Sequence, residues 1–335
     1  MQKKSRVLIL GDGRIGRVAR HYFSRSPWVA EVSFVRQDQD AKKCDLLIGA
    51  LAGELGQRGL ELALKHGKSL LDISDIDPPF YVKKKKEIEK KGILVIPGCG
   101  FSPGLVNLLI GKELSAEGRI RGIGVKAGSL SRRQWFFPFL WCFEDLILEH
   151  SIPSWQIVRG QKKRYPPFAS YMPEHFNGIE AESYLCASGF ENVMQEAGVR
   201  NFTCRVLRPR GFMAFFRFLQ NHGFLTKKNL PFTKTVAESV VPDNLTVAQI
   251  AVERHGSKTS WTIVASSRKQ EAFNSMQKIT ASVPAVIGSM LAGGVIRRKG
   301  LVFMHELGKD EGIVQRLLQG LKGFGVTCKR MTTHD

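Results

Sequence analysis

A short apolar run at residues 6–10 is followed at once by Gly11-Asp12-Gly13-Arg14-Ile15-Gly16, and then by a helical pattern over residues 17–25. No other feature narrows the possible folds so sharply. A GxGxxG between a strand and a helix is the entry to a dinucleotide-binding α/β unit. Gly11 makes the tight turn, Gly13 lets a pyrophosphate approach the backbone, and Gly16 lets helix and strand pack closely. The helix N-terminus then turns free N–H groups and a positive dipole end toward the phosphates. The expectation is a Rossmann-type parallel sheet whose cofactor is held by Gly11, Asp12, Gly13, Arg14, Ile15 and Gly16. A glycine-rich turn without a ligand is the alternative.

A second strand is expected over residues 32–35. An NAD site usually carries Asp or Glu about 20 residues past the glycines, for the ribose 2′-hydroxyl. This chain has Arg36 there, and a guanidinium suits a 2′-phosphate. NADP is therefore favoured over NAD, although Arg36 is also one of 50 lysines and arginines. The next strand begins near Asp45, after residues 37–44. A helical crossover takes at least about 10–12 residues, and eight extended residues reach at most about 28 Å. The spacing predicts a shortened sheet with one outer strand missing, a shallow adenine pocket and an exposed Arg36. Beyond it, residues 53–66 and 78–91 read as helices and residues 69–73 and 93–97 as strands. Ligands in open α/β sheets sit at the C-terminal strand ends, here Ala50-Leu51, Asp72-Ile73-Ser74-Asp75 and Gly98-Cys99-Gly100. Ala50, Leu51 and Ser74 are expected at the cofactor. Asp72 and Asp75 are either amine-orienting carboxylates and general bases or turn residues ahead of Pro78-Pro79.

The second half reads as an α+β domain. Strands are expected at 120–126, 179–185, 202–207, 245–254 and 258–266, with helices at 212–223, 268–291 and 312–324. At 335 residues the chain suits two domains. The most apolar stretch, residues 283–296, is too short and too rich in glycine to span a bilayer. The N-terminus lacks a signal-peptide pattern, so a cytoplasmic protein is expected. The six cysteines form no CxxC and the eight histidines no HExxH, and no metal site is expected. The net charge of +20 attracts polyanions. Its excess is spread along the chain, and the run Lys83 to Lys86 followed by Glu87, Glu89, Lys90 and Lys91 reads as a solvated helix face. A nucleic-acid role is therefore not favoured.

Several segments together resemble the saccharopine dehydrogenase-like family, which includes saccharopine reductase, lysine 6-dehydrogenase and carboxynorspermidine dehydrogenase. They are Asp72-Ile73-Ser74-Asp75, then Gly98 through Asn107 with its Ser102-Pro103-Gly104, Asp145 to His150 with Val158 to Gln161, Val206 to Phe212, and Met276 to Gly288. The resemblance implies two domains: residues 1–122 with the C-terminal segment 300–330 packed back on them, and residues 123–299 for substrate binding and dimerisation. It implies an NAD(P)-dependent oxidoreductase acting on a CH–NH or CH–NH2 bond of an amino acid, and a homodimer. Arg208 is implied as a substrate-carboxylate clamp, with Ser102, Gly104 and Asn107 at the substrate and Asp75 as the catalytic group. Ser102 and Pro103 also suit the N-cap and N1 positions of a helix over 103–114, whose N-terminus could hold a carboxylate. Ser102 stands where saccharopine reductase has Asp, which weakens saccharopine as substrate. Phe212 replaces a family histidine and excludes histidine chemistry at that position. Arg205 and Arg210 flank Arg208, so a solvated basic strand is the alternative there. His150 and Glu144 are candidates only by position, and the aromatic stretch from Trp135 to Phe143 suits a core or a subunit contact.

Two rival functions stand beside the oxidoreductase. One is a catalytically inactive family member that binds a nucleotide or a protein. The other is anion or nucleic-acid binding through the basic surface.

Overall fold

The computed structural model describes residues 4–74, 76–186, 189–241 and 243–334. The first stretch gives β1 (Ser5–Leu10), α1 (Arg14–Phe23), β2 (Val29–Phe34), β3 (Leu46–Gly49), α2 (Gln57–His66), β4 (Ser69–Asp72), α3 (Pro78–Lys83), α4 (Lys85–Lys91), β5 (Leu94–Ile96) and α5 (Leu105–Ser115). The middle gives β6 (Ile120–Ser131), α6 (Phe143–Glu149), β7 (Ser154–Val158), β8 (Gln161–Tyr165), β9 (Met172–Phe176), β10 (Ile179–Leu185), α7 (Glu191–Ala197), β11 (Asn201–Pro209), α8 (Phe212–Asn221), α9 (Leu230–Glu238), β12 (Asn244–Arg254) and β13 (Ser257–Ser267). The last part gives α10 (Ser275–Ala292), β14 (Gly300–Leu301), α11 (Met304–Gly308), α12 (Glu311–Lys322) and β15 (Val326–His334). The chain divides into two compact units, one of residues 1–117, 188–197 and 277–324, the other of residues 118–187, 198–276 and 325–335.

The first unit is built on a parallel sheet of order β14-β5-β4-β3-β1-β2. Its central strands are short aliphatic runs, buried except at Ser5 and Arg6 where β1 begins, as a sheet covered on both faces requires. β2 lies at one edge. Its return to β3 is a single six-residue 3-10 helix, Asp38–Lys43, so the length limit on residues 37–44 decides the topology and, among the described residues, no strand lies beyond β2. At the other edge the late segment β14 adds to β5, pairing Gly300 with Leu94.

The division of the chain differs from the expected one. Residues 277–299 lie with the first unit, because α10 packs there: a Cβ on Gly288 would stand 2.9 Å from the Trp28 ring, and one on Gly320 2.7 Å from Val286. Residues 325–330 belong to the second unit, because Gly325, at φ +74°, turns the chain into β15. That strand pairs antiparallel with β13 from Val326 to His334.

The second unit is a mixed sheet of order β15-β13-β12-β6-β11-β10-β9, with β7 and β8 off that path. β6 and β11 run parallel, whereas β12 and β13 form a long antiparallel hairpin with full register from Asn244 to Arg254. An aromatic cluster of Phe139, Phe143, Phe168, Tyr184, Phe212 and Phe216 packs into its core. The aromatic stretch is therefore core over much of its length, while Trp135 at its start is 71% exposed. The solvent-facing strands β8 and β15 carry too few apolar residues to show as strands in the sequence.

Candidate functional site

Backbone geometry builds the glycine turn. Gly11 has φ +115°, and a Cβ there would lie 2.4 Å from the Ala50 carbonyl oxygen. At Gly16 a Cβ would lie 1.9 Å from the Gly11 carbonyl oxygen. Both close approaches need glycine. Gly13 differs, since a Cβ there would meet nothing within 4 Å. It is the exposed N-cap of α1 and has no side chain to occupy the first-turn N–H groups. Open space in front of an uncapped helix start fits a pyrophosphate. The turn is braced from behind: the Asp12 carbonyl accepts from Arg17 Nε at 2.7 Å, and the Arg14 carbonyl accepts from Gln277 Nε2 at 3.3 Å. Ile15 is half-buried beside them. Ala50 and Leu51 follow β3, and the Ala50 N–H donates to the Leu10 carbonyl at 2.8 Å. Arg36 lies two residues past β2, exposed, its own N–H donating to Asp40 Oδ2 at 2.8 Å.

The end of β4 decides between the two readings left open for Asp72. Asp72 is fully buried. It accepts from the Tyr81 hydroxyl at 2.7 Å and the Ser74 N–H at 2.9 Å, and burial pushes its carboxyl above the usual range. It ties α3 to β4 rather than facing a substrate amine. Asp75, the expected catalytic group, lies outside the described residues. Cys99 is buried, and burial together with the nearby Asp72 pushes its thiol up, so it is no nucleophile.

The helix after β5 begins later than the sequence suggests. Ser102–Pro103 is a cis peptide and Gly104, at φ +137°, is the N-cap of α5. The expected N-cap at Ser102 does not form, because the backbone bends back on itself. The Leu105 N–H donates to the Gly100 carbonyl at 2.9 Å and the Val106 N–H to the Phe101 carbonyl at 3.1 Å. Asn107 accepts from the Gly104 N–H at 2.9 Å and donates to the Gly189 carbonyl at 2.8 Å. Most donors that would hold a carboxylate at this helix end are thus already engaged. Ser102 stays half-buried beside them.

In the second unit, Arg208 is not on a solvated strand. Arg205 and Arg208 are 9% and 3% exposed, on a strand flanked by β6 and β10. Arg208 Nη2 donates to Glu149 Oε2 at 2.5 Å, and its guanidinium lies over the Trp141 and Phe212 rings at 5.1 and 5.6 Å. Its Nε is buried without a hydrogen-bond partner. His150, the residue after Glu149, is also buried. A carbonyl can only accept, so His150 Nδ1 carries the proton it donates to the Leu146 carbonyl at 2.7 Å. Nε2 then accepts from the Tyr184 hydroxyl at 2.8 Å. Burial drives the imidazole pKa down to about 4, against a smaller opposing pull from Glu149. Glu182, from β10, is buried as well and accepts from the Gly211 and Met213 N–H groups at 2.7 and 2.6 Å, capping α8. Glu144 is instead exposed and paired with Lys234.

Sequence reading missed Glu149, Tyr184 and Glu182. Glu149 stands 59 positions from Arg208, and only an acid next to a histidine in a helical run marked it. Among the described residues, no group of His, Cys, Asp or Glu is placed to hold a metal, and no helix is long and apolar enough to cross a membrane.

Comparisons with known proteins agree with this architecture. A sequence model of the saccharopine dehydrogenase C-terminal domain matches residues 100–326. Among solved structures, the chain is similar to an apo, histidine-tagged saccharopine dehydrogenase (L-Glu forming) from Saccharomyces cerevisiae. The two share 15% identity and a TM-score of 0.75, over 98% of this chain and 100% of that one. It also matches a C. glutamicum DAP dehydrogenase in complex with DAP, at 13% identity and a TM-score of 0.49 over 93% and 97% of the two chains.

Proposed function

This chain belongs to the saccharopine dehydrogenase family, and on that premise we propose that it is an NADP-preferring oxidoreductase acting on a CH–NH or CH–NH2 bond of an amino acid. The substrate class we favour is lysine- or saccharopine-like. The observation that carries the reading is the uncapped start of α1 with open space at Gly13. When bound, a nicotinamide cofactor gives or takes the hydride. The chain's residues bind and orient. Gly11, Asp12, Gly13, Arg14, Ile15 and Gly16 cradle the pyrophosphate, with Ala50, Leu51 and Ser74 beside the cofactor. Arg36 reads the 2′-phosphate. Arg208 holds a substrate carboxylate, Ser102 touches the substrate, and Gly104 and Asn107 hold the turn around it. Asp75 manages the amine proton. The protein works as a homodimer, a point that sedimentation equilibrium tests directly.

Fluorescence titration with NADPH and NADH tests the cofactor. We expect tighter NADPH binding, reduced about tenfold in Arg36→Ala with NADH unaffected, which is about 1.4 kcal/mol of lost phosphate contact. Failure of both nucleotides to bind rejects the oxidoreductase. Turnover on a panel of amino acids, abolished in Asp75→Asn with nucleotide binding intact, tests the chemistry. One observation favours a second reading, a nucleotide-binding member without turnover: Arg208 already holds an internal carboxylate, Glu149. Nucleotide binding with no turnover on any amino acid selects it.

A further inference from the structure

Two features of the sequence are not used by the proposed chemistry: the missing outer strand and the excess of positive charge. They meet at β2. Among the described residues, this strand has β1 as its one neighbour in the sheet. The Val35 N–H donates to the Ile9 carbonyl at 2.9 Å, so by strand alternation Ser33 also faces β1. Val32 and Phe34 therefore turn their N–H and C=O groups outward, toward a strand position that is vacant in this fold.

Two adjoining grooves, both lined by Arg20, open along that edge. One, of about 390 Å³, is lined by Arg6, Arg20, Arg36 and Lys43 around Leu8 and Phe34. The other, of about 460 Å³, runs between α1 and β2 and is lined by Arg17, Arg20 and His21. Glu31 borders both grooves. Asp40, the other acid, spends one carboxylate oxygen on the backbone N–H groups of Arg36 and Gln37. Both grooves are thus net cationic. A strand added at this edge would run alongside both grooves, within reach of their basic side chains.

We propose that the β2 edge is a docking strand for an extended acidic segment of a partner protein, bound by strand addition. Charge selects the occupant. A second copy of this chain would bring the same arginines against these, and like charges across an interface oppose pairing. An acidic segment gains main-chain hydrogen bonds from the edge and ion pairs from both grooves. The inference does not depend on the oxidoreductase reading, although the two share Arg36, which the variants below leave unchanged.

The test uses the full chain and a fluorescein-labelled decapeptide of glutamate and aspartate, followed by anisotropy at about 150 mM salt, where screening removes loose attraction. Amide exchange is read across residues 29–36 with and without the peptide. We expect saturable binding, slowed exchange at Val32 and Phe34, and at least about tenfold weaker binding in Lys43→Glu. Val32→Pro removes one outward N–H and keeps every charge, because edge positions tolerate proline. It should weaken binding by a similar factor with the circular-dichroism spectrum unchanged. Several results overturn the proposal: no binding, binding without protection of the β2 amides, or a folded Val32→Pro that binds as the parent does. Tighter binding of a uridine decamer than of the peptide also overturns it, in favour of a nucleic acid. So does self-association lost in Val32→Pro, in favour of a second copy. Should Val32→Pro not fold, the exchange pattern of the parent protein decides alone.

Discussion

The two units build their candidate sites in opposite ways. In the first, the backbone does the work. Six consecutive residues make a turn whose shape depends on missing side chains, at Gly11 and Gly16 by close approach and at Gly13 by open space. In the second, side chains do it. Glu149 and His150, at the end of α6, Tyr184 of β10 and Arg208 of β11 are each placed by the burial of the others. A site made of local backbone is cheap to keep and visible in a short string of residues. A site made of buried polar groups depends on the packing of distant segments, and losing one member strands the rest.

The largest effect should come from breaking the side-chain network. Glu149→Ala leaves the Arg208 guanidinium buried without its carboxylate, and we expect a loss of about 3–4 kcal/mol in urea unfolding. The lower part of the usual range applies because Glu149 keeps 24% side-chain exposure. Adding Arg208→Met should recover most of that loss, since an apolar side chain needs no partner there. A Glu149→Ala protein as stable as its parent would show that the pair is solvated, and the contrast between the units would fail.

Next is pH. His150 is neutral in the folded state with a pKa near 4, against 6.5 as its ordinary value. Between these values the unfolded chain binds a proton that the folded protein does not. Stability from this group is complete above pH 6.5 and is lost as pH falls toward 4, by about 3 kcal/mol in all. Thermal unfolding between pH 7 and 5 should therefore show a falling midpoint. His150→Asn, less stable at pH 7, should show a shallower slope over the same interval. Equal slopes would mean that the imidazole is protonated in place.

How much was legible follows the same division. The glycine turn, the parallel sheet and even the absent strand could be read, because chain length between Arg36 and Asp45 sets a hard geometric limit. The strands of the second sheet with alternating apolar residues were also legible, β10 to the residue. What could not be read is what depends on pairs far apart in the chain. Arg208 stood out, but nothing near it announced Glu149. Arg205 and Arg208 read equally well as solvated, because a basic residue on a strand shows its burial only through its neighbours. At Ser102 the local rule for helix starts was overridden: Gly104 takes the N-cap, and the Gly100 and Phe101 carbonyls accept the N–H groups a ligand would have used. β15 was missed because an edge strand with one wet face needs little hydrophobic pattern.

The smallest effects sharpen the comparison most, because two alanine substitutions three residues apart should separate fold from function. At Gly16 a Cβ would sit 1.9 Å from the Gly11 carbonyl oxygen, a backbone atom that moves only if the whole turn moves. Gly16→Ala should cost about 2 kcal/mol of stability and nucleotide binding with it. At Gly13 a Cβ meets nothing, and φ is −69°, which alanine adopts freely. Gly13→Ala should leave stability within about 0.5 kcal/mol of the parent. Its methyl group would nonetheless occupy the space in front of the α1 N-terminus, where the pyrophosphate must come close to the backbone. NADPH affinity should then fall about tenfold in a protein whose unfolding is unchanged. Equal NADPH binding by Gly13→Ala and its parent would mean that the open space at Gly13 holds no phosphate, and the turn would be glycine-rich for packing alone.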